Sequence, residues 1–411
     1  VEDVQRLILE ARDRTRDRVR VTPTIPSTAL SEIAGAPVLL KCENLQRTGS
    51  FKLRGAMNML ATLSEGATVV AASAGNHAQG VALAAAELGL HSIVVMPQTA
   101  PVAKQRATKE YGAEIVLVEG ALAEAIAHGQ QIAAEGAFTF VPPFDHELIV
   151  AGQGTLGLEI LDDVADVETV LVPTGGGGLL AGVAAAVKTS RPDVRVIGVQ
   201  SAAMPGVIRS RAAHAAIQLA AARTIADGAA VAGPSPLTLG LIERYVDDVV
   251  AVSEEAIARA VVLLMERARL VVEGAGALST AALMTGAVAS PGRTVAIVSG
   301  GNIDLNVLAR LVARGLLLEG RHRTLTVAAA NVAGELSLIT SGLAAAGANV
   351  IEVQHELVTA DLPVSVARLT FRLEVKGDDA FDAAVKALLA RGLVRGTTTD
   401  LSTASAAATP H

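Results

Sequence analysis

The chain is poor in the features that mark a specialised environment. It has one cysteine, Cys42, in 411 residues, so no intrachain disulfide can form and a reducing cytoplasm is the expected setting. Cys42 closes the apolar stretch Val38–Cys42, which reads as a strand, so a buried, inert thiol is expected rather than a reactive one. Tryptophan is absent, and Phe and Tyr number only six and two. Such an interior must close by packing small aliphatic side chains, as in an α/β core. No block of basic residues accompanies the net charge of −7, which argues against a nucleic-acid partner. Long apolar runs are missing too. Hydrophobic residues make up 51%, yet they fall in short, Ala- and Gly-rich stretches broken by charges, and no span of about twenty residues could cross a membrane. The N-terminal segment with Glu2, Asp3, Arg6, Glu10 and Arg12 reads as a charged helix without a secretory signal.

What is present is an alternation. Val69–Ala72, Ser92–Met96, Glu114–Val118, Thr169–Pro173, Val194–Val199 and Val295–Ser299 read as strands, several of them apolar throughout, as parallel strands covered on both faces are. Between them Ala78–Gly89, Lys104–Tyr111, Leu122–Glu135 and Leu179–Thr189 read as helices, and Gly89, Gly112 and Gly136 suit left-handed caps at helix ends. This is the pattern of a wound α/β sheet. Residues 311–323 read as a strand or helix end leading into a linker. Beyond it, Thr324–Ala330, Gly334–Ala346, Val350–Val358, Ser365–Val375, Asp378–Ala390 and Leu393–Thr399 follow the βαββαβ order of the ferredoxin-like plan. The small, polar residues 401–411 are expected to fray.

Four segments carry the chemistry. Lys52 lies in Ser50-Phe51-Lys52-Leu53-Arg54-Gly55-Ala56. A lysine amine is charged and unreactive at neutral pH unless burial or a neighbouring cation lowers its proton affinity, and flanking Phe51 and Leu53 offer an apolar setting. Taken alone, Ser50-Phe51-Lys52 reads as a surface lysine at a helix start. The loop Ser73-Ala74-Gly75-Asn76-His77 follows an apolar strand and opens a helix, where unpaired backbone N–H groups suit an anion. In Pro173-Thr174-Gly175-Gly176-Gly177-Gly178-Leu179, missing side chains let the backbone approach a phosphate. This run lacks both the G-x-G-x-x-G spacing and a Walker lysine, which tells against a Rossmann-type nucleotide site. The last segment, Val298-Ser299-Gly300-Gly301-Asn302, ends an apolar strand.

With Glu43–Gly49 ahead of Lys52, these segments resemble the pyridoxal-phosphate enzymes of the tryptophan-synthase β-like fold, and most closely the threonine and serine ammonia-lyases, over roughly residues 5–320. The resemblance implies a fold-type II catalytic domain of two wound α/β subdomains, with pyridoxal 5'-phosphate as cofactor. It implies that Lys52 is the Schiff-base lysine and the base that removes the substrate Cα proton, with Phe51 beside it. Gly175, Gly176, Gly177, Gly178 and Leu179 would take the cofactor phosphate, Asn76 its phenolic oxygen and Ser299 its pyridine nitrogen. A neutral hydroxyl at that nitrogen would not enforce a protonated ring, which suits elimination. Ser73, Ala74, Gly75, Asn76 and His77 would receive the substrate carboxylate, with His77 in a supporting rather than a catalytic role.

The implied reaction is β-elimination of L-threonine to 2-oxobutanoate and ammonia, and of L-serine to pyruvate. The alternatives are an L-serine ammonia-lyase, a serine racemase-like enzyme, or a catalytically silent amino-acid-binding protein. Similar racemases carry a second serine where this chain has Ala74, and alanine has no proton to exchange. An intact Lys52 and Ser299 speak against a silent protein. Asp227, in Thr224-Ile225-Ala226-Asp227-Gly228, reads as a turn former, so no metal ligand is assigned. The C-terminal part resembles an ACT regulatory domain, with Asn331-Val332-Ala333-Gly334-Glu335 at its first strand–helix junction. This implies feedback within isoleucine biosynthesis by L-isoleucine or L-valine, and a homodimer or homotetramer. The expected organisation is a catalytic domain over 1–310, a linker over 311–323, an ACT-like domain over 324–400 and a tail over 401–411.

Overall fold

The computed structural model describes residues 3–289, 291–357, 362–392 and 397–398. The chain divides into two compact units, residues 1–308 and 309–411. The first unit carries β1 (Thr24–Pro26), β2 (Val38–Cys42), β3 (Thr68–Ala72), β4 (His91–Pro97), β5 (Glu114–Val118), β6 (Thr139–Phe140), β7 (Thr169–Pro173), β8 (Arg195–Ser201), β9 (Asp248–Val252) and β10 (Thr294–Val298). They build a four-stranded sheet in the order β5-β4-β3-β6 and a six-stranded sheet in the order β1-β2-β10-β7-β8-β9. All pairings are parallel except that of β1 with β2. The chain leaves the large sheet after β2, completes the small one and returns. These are the two wound subdomains expected from the sequence.

The strands form where β-branched residues cluster, and β7 and β10 are buried along their whole length, as central parallel strands must be. The helix Gly178–Ser190 packs against β7, buried from Gly178 to Val187. It approaches the helix Glu147–Asp163 so closely that a side-chain carbon at Gly182 would lie 2.3 Å from the Val150 carbonyl oxygen. Close backbone packing through glycine and alanine therefore replaces the large rings this sequence lacks. Left-handed caps occur at Gly89 and Gly112. At the third expected site the left-handed residue is Ala137 rather than Gly136, whose open side is filled by the Phe138 ring.

The second unit contains β11 (His322–Ala330), the helix Glu335–Ala345, β12 (Asn349–Glu356), β13 (Val366–Glu374), the helix Asp378–Ala390 and β14 (Thr397–Thr398). Its antiparallel sheet has the order β12-β13-β11-β14, which is the ferredoxin-like plan. Leu325, Val327 and Ala329 alternate inward from β11 onto Ile339, Leu343, Phe381 and Leu388. The segment expected to lead into a linker continues instead as the helix Leu305–Leu318, which stops before Gly320, a residue with φ of 70°. Val358, residues 393–396, Thr399 and the expected tail lie outside the described residues. No helix among the described residues is long and apolar enough to cross a membrane.

Candidate active site

Ser73 follows β3, Thr174 follows β7 and Ser299 follows β10, so three of the four chemical segments leave the carboxyl ends of parallel strands, where open α/β sheets bind ligands. The fourth is tied to them through backbone. Phe51 N–H donates to the Ser299 carbonyl at 3.1 Å and Gly301 N–H to that of Gly49 at 2.9 Å, around a bridge between Ser50 and Gly300. Lys52 then opens the helix Lys52–Leu60. Its Nζ donates to the Pro143 carbonyl at 2.8 Å and lies 5.3 Å from the centre of the Phe51 ring. Burial lowers this amine to about 8, against the pull of the Glu273 carboxylate. A neutral fraction is then present at mildly alkaline pH, which a base or nucleophile needs.

Pro143 belongs to Val141-Pro142-Pro143-Phe144-Asp145-His146, a stretch with no chemical signature of its own. It joins three parts of the site. The Val141 carbonyl is 2.9 Å from His77 Nε2, the Pro143 carbonyl holds Lys52, and Phe144 closes over the glycine run. A side-chain carbon at Gly176 would lie 2.7 Å from the Phe144 ring, and one at Gly178 would lie 2.8 Å from its Cβ. Gly177 takes φ of 91° as the cap of the following helix, which has no side-chain cap. Its first N–H groups thus keep their capacity for an anion. Behind the loop, Thr238 Oγ1 donates to the Gly176 carbonyl at 2.9 Å. Leu179 is buried in the core and can offer only its backbone.

Asn76 begins the helix Asn76–Glu87, and both ends of its amide are engaged. Nδ2 donates to Glu273 Oε1 at 2.7 Å, and Oδ1 accepts from Asn302 Nδ2 at 2.8 Å. Glu273 was not foreseen. It is 5% exposed, and burial followed by the nearby Asp227 charge raises its carboxyl to about 7, against the Asn76 hydrogen bond, Lys104 and Lys52. His77 is buried, and burial and then Lys52 press it down to about 3, against its contact with Val141. Gly75 N–H donates to Ser73 Oγ at 3.1 Å, and Ala74 packs on the cluster containing Ala78 and Met96. Ser299 is 3% exposed, and its hydroxyl has one long contact, 3.5 Å to the Ala275 carbonyl, so it retains hydrogen-bonding capacity. Among the described residues no group of three or more His, Cys, Asp or Glu could hold a metal ion. Asp227 pairs instead with Lys104 at 3.2 Å.

The sequence pattern of pyridoxal-phosphate dependent enzymes matches residues 15–300. The chain belongs to that family. Over 377 residues it is 45% identical to the L-threonine ammonia-lyase of Geobacter sulfurreducens, covering 90% of this chain and 93% of that protein. Over 388 residues it is 42% identical to the L-threonine ammonia-lyase of Thermotoga maritima, covering 94% and 97%. The crystal structure of a T.th. threonine deaminase superposes with a TM-score of 0.70 at 39% identity, covering 73% of this chain and 98% of that one. The two sequence matches run past residue 308 into the second unit. Pyridoxal 5'-phosphate is the cofactor of the family, and the residues present fit it. An amine of lowered proton affinity, an uncapped glycine-lined helix start, a buried hydroxyl with spare capacity and a fixed amide match its aldehyde, phosphate, ring nitrogen and ring oxygen.

Proposed function

We propose that this protein is a lyase that converts L-threonine to 2-oxobutanoate and ammonia, and L-serine to pyruvate and ammonia. The observation that carries the reading is Lys52, an amine brought to about 8 by burial and hydrogen-bonded to the loop that closes over the glycine run. Identities of 45% and 42% to two L-threonine ammonia-lyases over most of their lengths support it.

The cofactor, when bound, supplies the electron withdrawal that acidifies the substrate Cα–H. The chain's own residues do the rest. N–H groups at Gly175, Gly176, Gly177, Gly178 and Leu179 would hold the phosphate, Ser299 Oγ the ring nitrogen and Asn76 the ring oxygen. The Phe51 ring lies beside Lys52 Nζ. The backbone of Ser73, Ala74, Gly75, Asn76 and His77 would take the substrate carboxylate. Lys52 Nζ takes the Cα proton, and the β-hydroxyl leaves as water with one proton, so the elimination releases water with no net change in protons. The enamine product takes up a proton at carbon and is hydrolysed in solution, returning one water, so threonine balances 2-oxobutanoate plus ammonium. His77 stays neutral and moves no proton. Ala74 offers no proton on a second face, which favours elimination over racemisation.

The second unit acts as an ACT-type regulatory domain for L-isoleucine or L-valine in a homodimer or homotetramer, placing the enzyme in isoleucine biosynthesis. Its βαββαβ order supports this, as does Gly334, at φ of 91° before the first helix. The test is 2-oxo acid release from L-threonine by the purified chain, with and without L-isoleucine. Rapid 2-oxobutanoate formation is expected, with suppression by the effector. No turnover on threonine or serine overturns the lyase reading. An effector response that survives removal of residues 324–411 overturns the regulatory one.

A further inference from the structure

The least expected feature of the site is a buried carboxyl holding an amide. A side-chain amide can face either way, and here three contacts decide the orientation. Asn302 Nδ2 donates to the Thr48 carbonyl at 2.6 Å. A backbone carbonyl only accepts, so Asn302 cannot turn its oxygen to that side. The same nitrogen therefore meets Asn76, which answers with Oδ1 at 2.8 Å. The nitrogen of Asn76 is left facing Glu273 Oε1 at 2.7 Å. Glu273 is fixed in turn. Its N–H donates to the Gly300 carbonyl at 3.1 Å, and a side-chain carbon at Gly300 would lie only 2.4 Å from Glu273 Oε1. Asn76 Nδ2 carries two hydrogens and spends one on Glu273.

We propose that Glu273 is a positioning residue: by accepting one hydrogen of Asn76 Nδ2 it locks that amide and leaves the second hydrogen to donate to the cofactor's ring oxygen. This rests on the reading of Asn76 as a ligand of pyridoxal 5'-phosphate. An ionised carboxylate is a pure acceptor and makes the stronger, charge-assisted bond. A protonated one can present a donor and release the constraint. The charges that face Glu273 are Asp227 from the turn Asp227–Ala229, Lys104 from the helix Val102–Glu110 and Lys52 from the helix Lys52–Leu60. Asp227 favours the protonated form and the two lysines oppose it. With burial, they put the change of state close to neutrality, so the lock tightens as pH rises through about 7.

The test uses the full chain. Infrared spectra of the cofactor-free protein across neutral pH should show the carbonyl stretch of a buried protonated carboxyl disappearing near pH 7, and the Glu273→Gln protein should lack it. Titration with pyridoxal 5'-phosphate at about pH 8 should give a dissociation constant raised roughly tenfold in Glu273→Gln, through loss of a charge-assisted bond. The variant's affinity should also lose the component of pH dependence that the parent shows around 7. If Glu273→Gln does not fold, Glu273→Asp carries the test, because the shorter side chain withdraws the carboxylate from Asn76 Nδ2 and should weaken cofactor binding in the same way. Parent-like affinity and pH profile in the variant that folds would overturn the proposal. A parent chain that binds no cofactor would instead overturn the functional reading on which it rests.

Discussion

His77 sits beside Lys52 yet carries no charge at neutral pH, and this has a measurable thermodynamic consequence. Its folded value of about 3 lies below the ordinary 6.5, so the unfolded chain binds a proton that the folded chain refuses. The stability tied to this histidine is complete above about pH 6.5 and is lost as pH falls towards 3, at about 1.4 kcal/mol per pH unit. His77→Gln keeps an N–H for the Val141 carbonyl and removes the titration. Urea unfolding of the cofactor-free chain should therefore depend less steeply on pH between about 6 and 4 in the variant. Lys52→Ala should lower turnover by at least about 10³-fold with little change in the unfolding midpoint, as read by oxo acid assay and by melting. At this scale the sequence pointed to chemistry only through combinations of segments. Lys52 was singled out by its company, the loop 73–77, the glycine run and Ser299, and a lone acid has no such company. Glu273 lies 197 positions from Asn76, and only the fold brings them into contact. The available hint was an acid ending the apolar stretch Leu270-Val271-Val272 and followed by small residues. Asn302 was in view beside Ser299, yet nothing local distinguished an amide that clamps another amide from a turn former.

The strand-to-helix turns were legible for a physical reason. Short β-branched runs, then glycine, then an alanine-rich stretch leave a parallel α/β chain few alternatives, and β2, β5 and β7 have the bounds read from sequence. The loop from Val141 to His146 was not legible, because its work is done by carbonyl groups and one ring that any sequence could supply. Its contact with the glycine run gives a direct test. Gly176→Ala forces a carbon against the Phe144 ring, an overpacking that costs about 1–3 kcal/mol, and should weaken cofactor binding. Adding Phe144→Ala should recover part of the loss, giving a coupling energy above about 0.5 kcal/mol in a double-mutant cycle. Beneath the helix that carries Lys52 lies a second unforeseen set. Arg54 is 1% exposed and pairs with Glu43 at 2.8 Å and Glu159 at 2.6 Å, while Lys41 pairs with Glu159 and Asp163 at 2.9 Å. Burial works against the Arg54 charge, but Glu43 and Glu159 more than offset it and raise its proton affinity. Arg54→Met leaves the Glu43 carboxylate buried without its main partner and should cost about 3–5 kcal/mol in urea unfolding. Arg54→Met with Glu43→Leu should cost less than the single change.

At the scale of the whole molecule, each unit has its own core among the described residues: the first includes a cluster around β7 and β10, and the second a cluster between β11, β13 and the two helices that cover them. All the residues assigned to the cofactor lie in the first unit. Calorimetry with saturating pyridoxal 5'-phosphate should raise the unfolding of the first unit, because a ligand stabilises the unit that binds it. Unfolding of the first unit that does not move with the cofactor would contradict the assignment. The change of texture near residue 310 was visible as sequence, but the helix Leu305–Leu318 was not, since its leucines read equally well as the end of one element and the start of a spacer. One further property follows from Cys42. This thiol is fully buried, its Sγ contacts the Leu40 carbonyl at 3.5 Å, and burial, then Glu43, push it up to about 12 against Lys41. On β2 it stands opposite Val298, the residue before Ser299. The chain is therefore a natural blank for thiol chemistry. A cysteine introduced on its surface would be the only reactive label, while slow modification of Cys42 itself would time the opening of the strand pair that anchors the site.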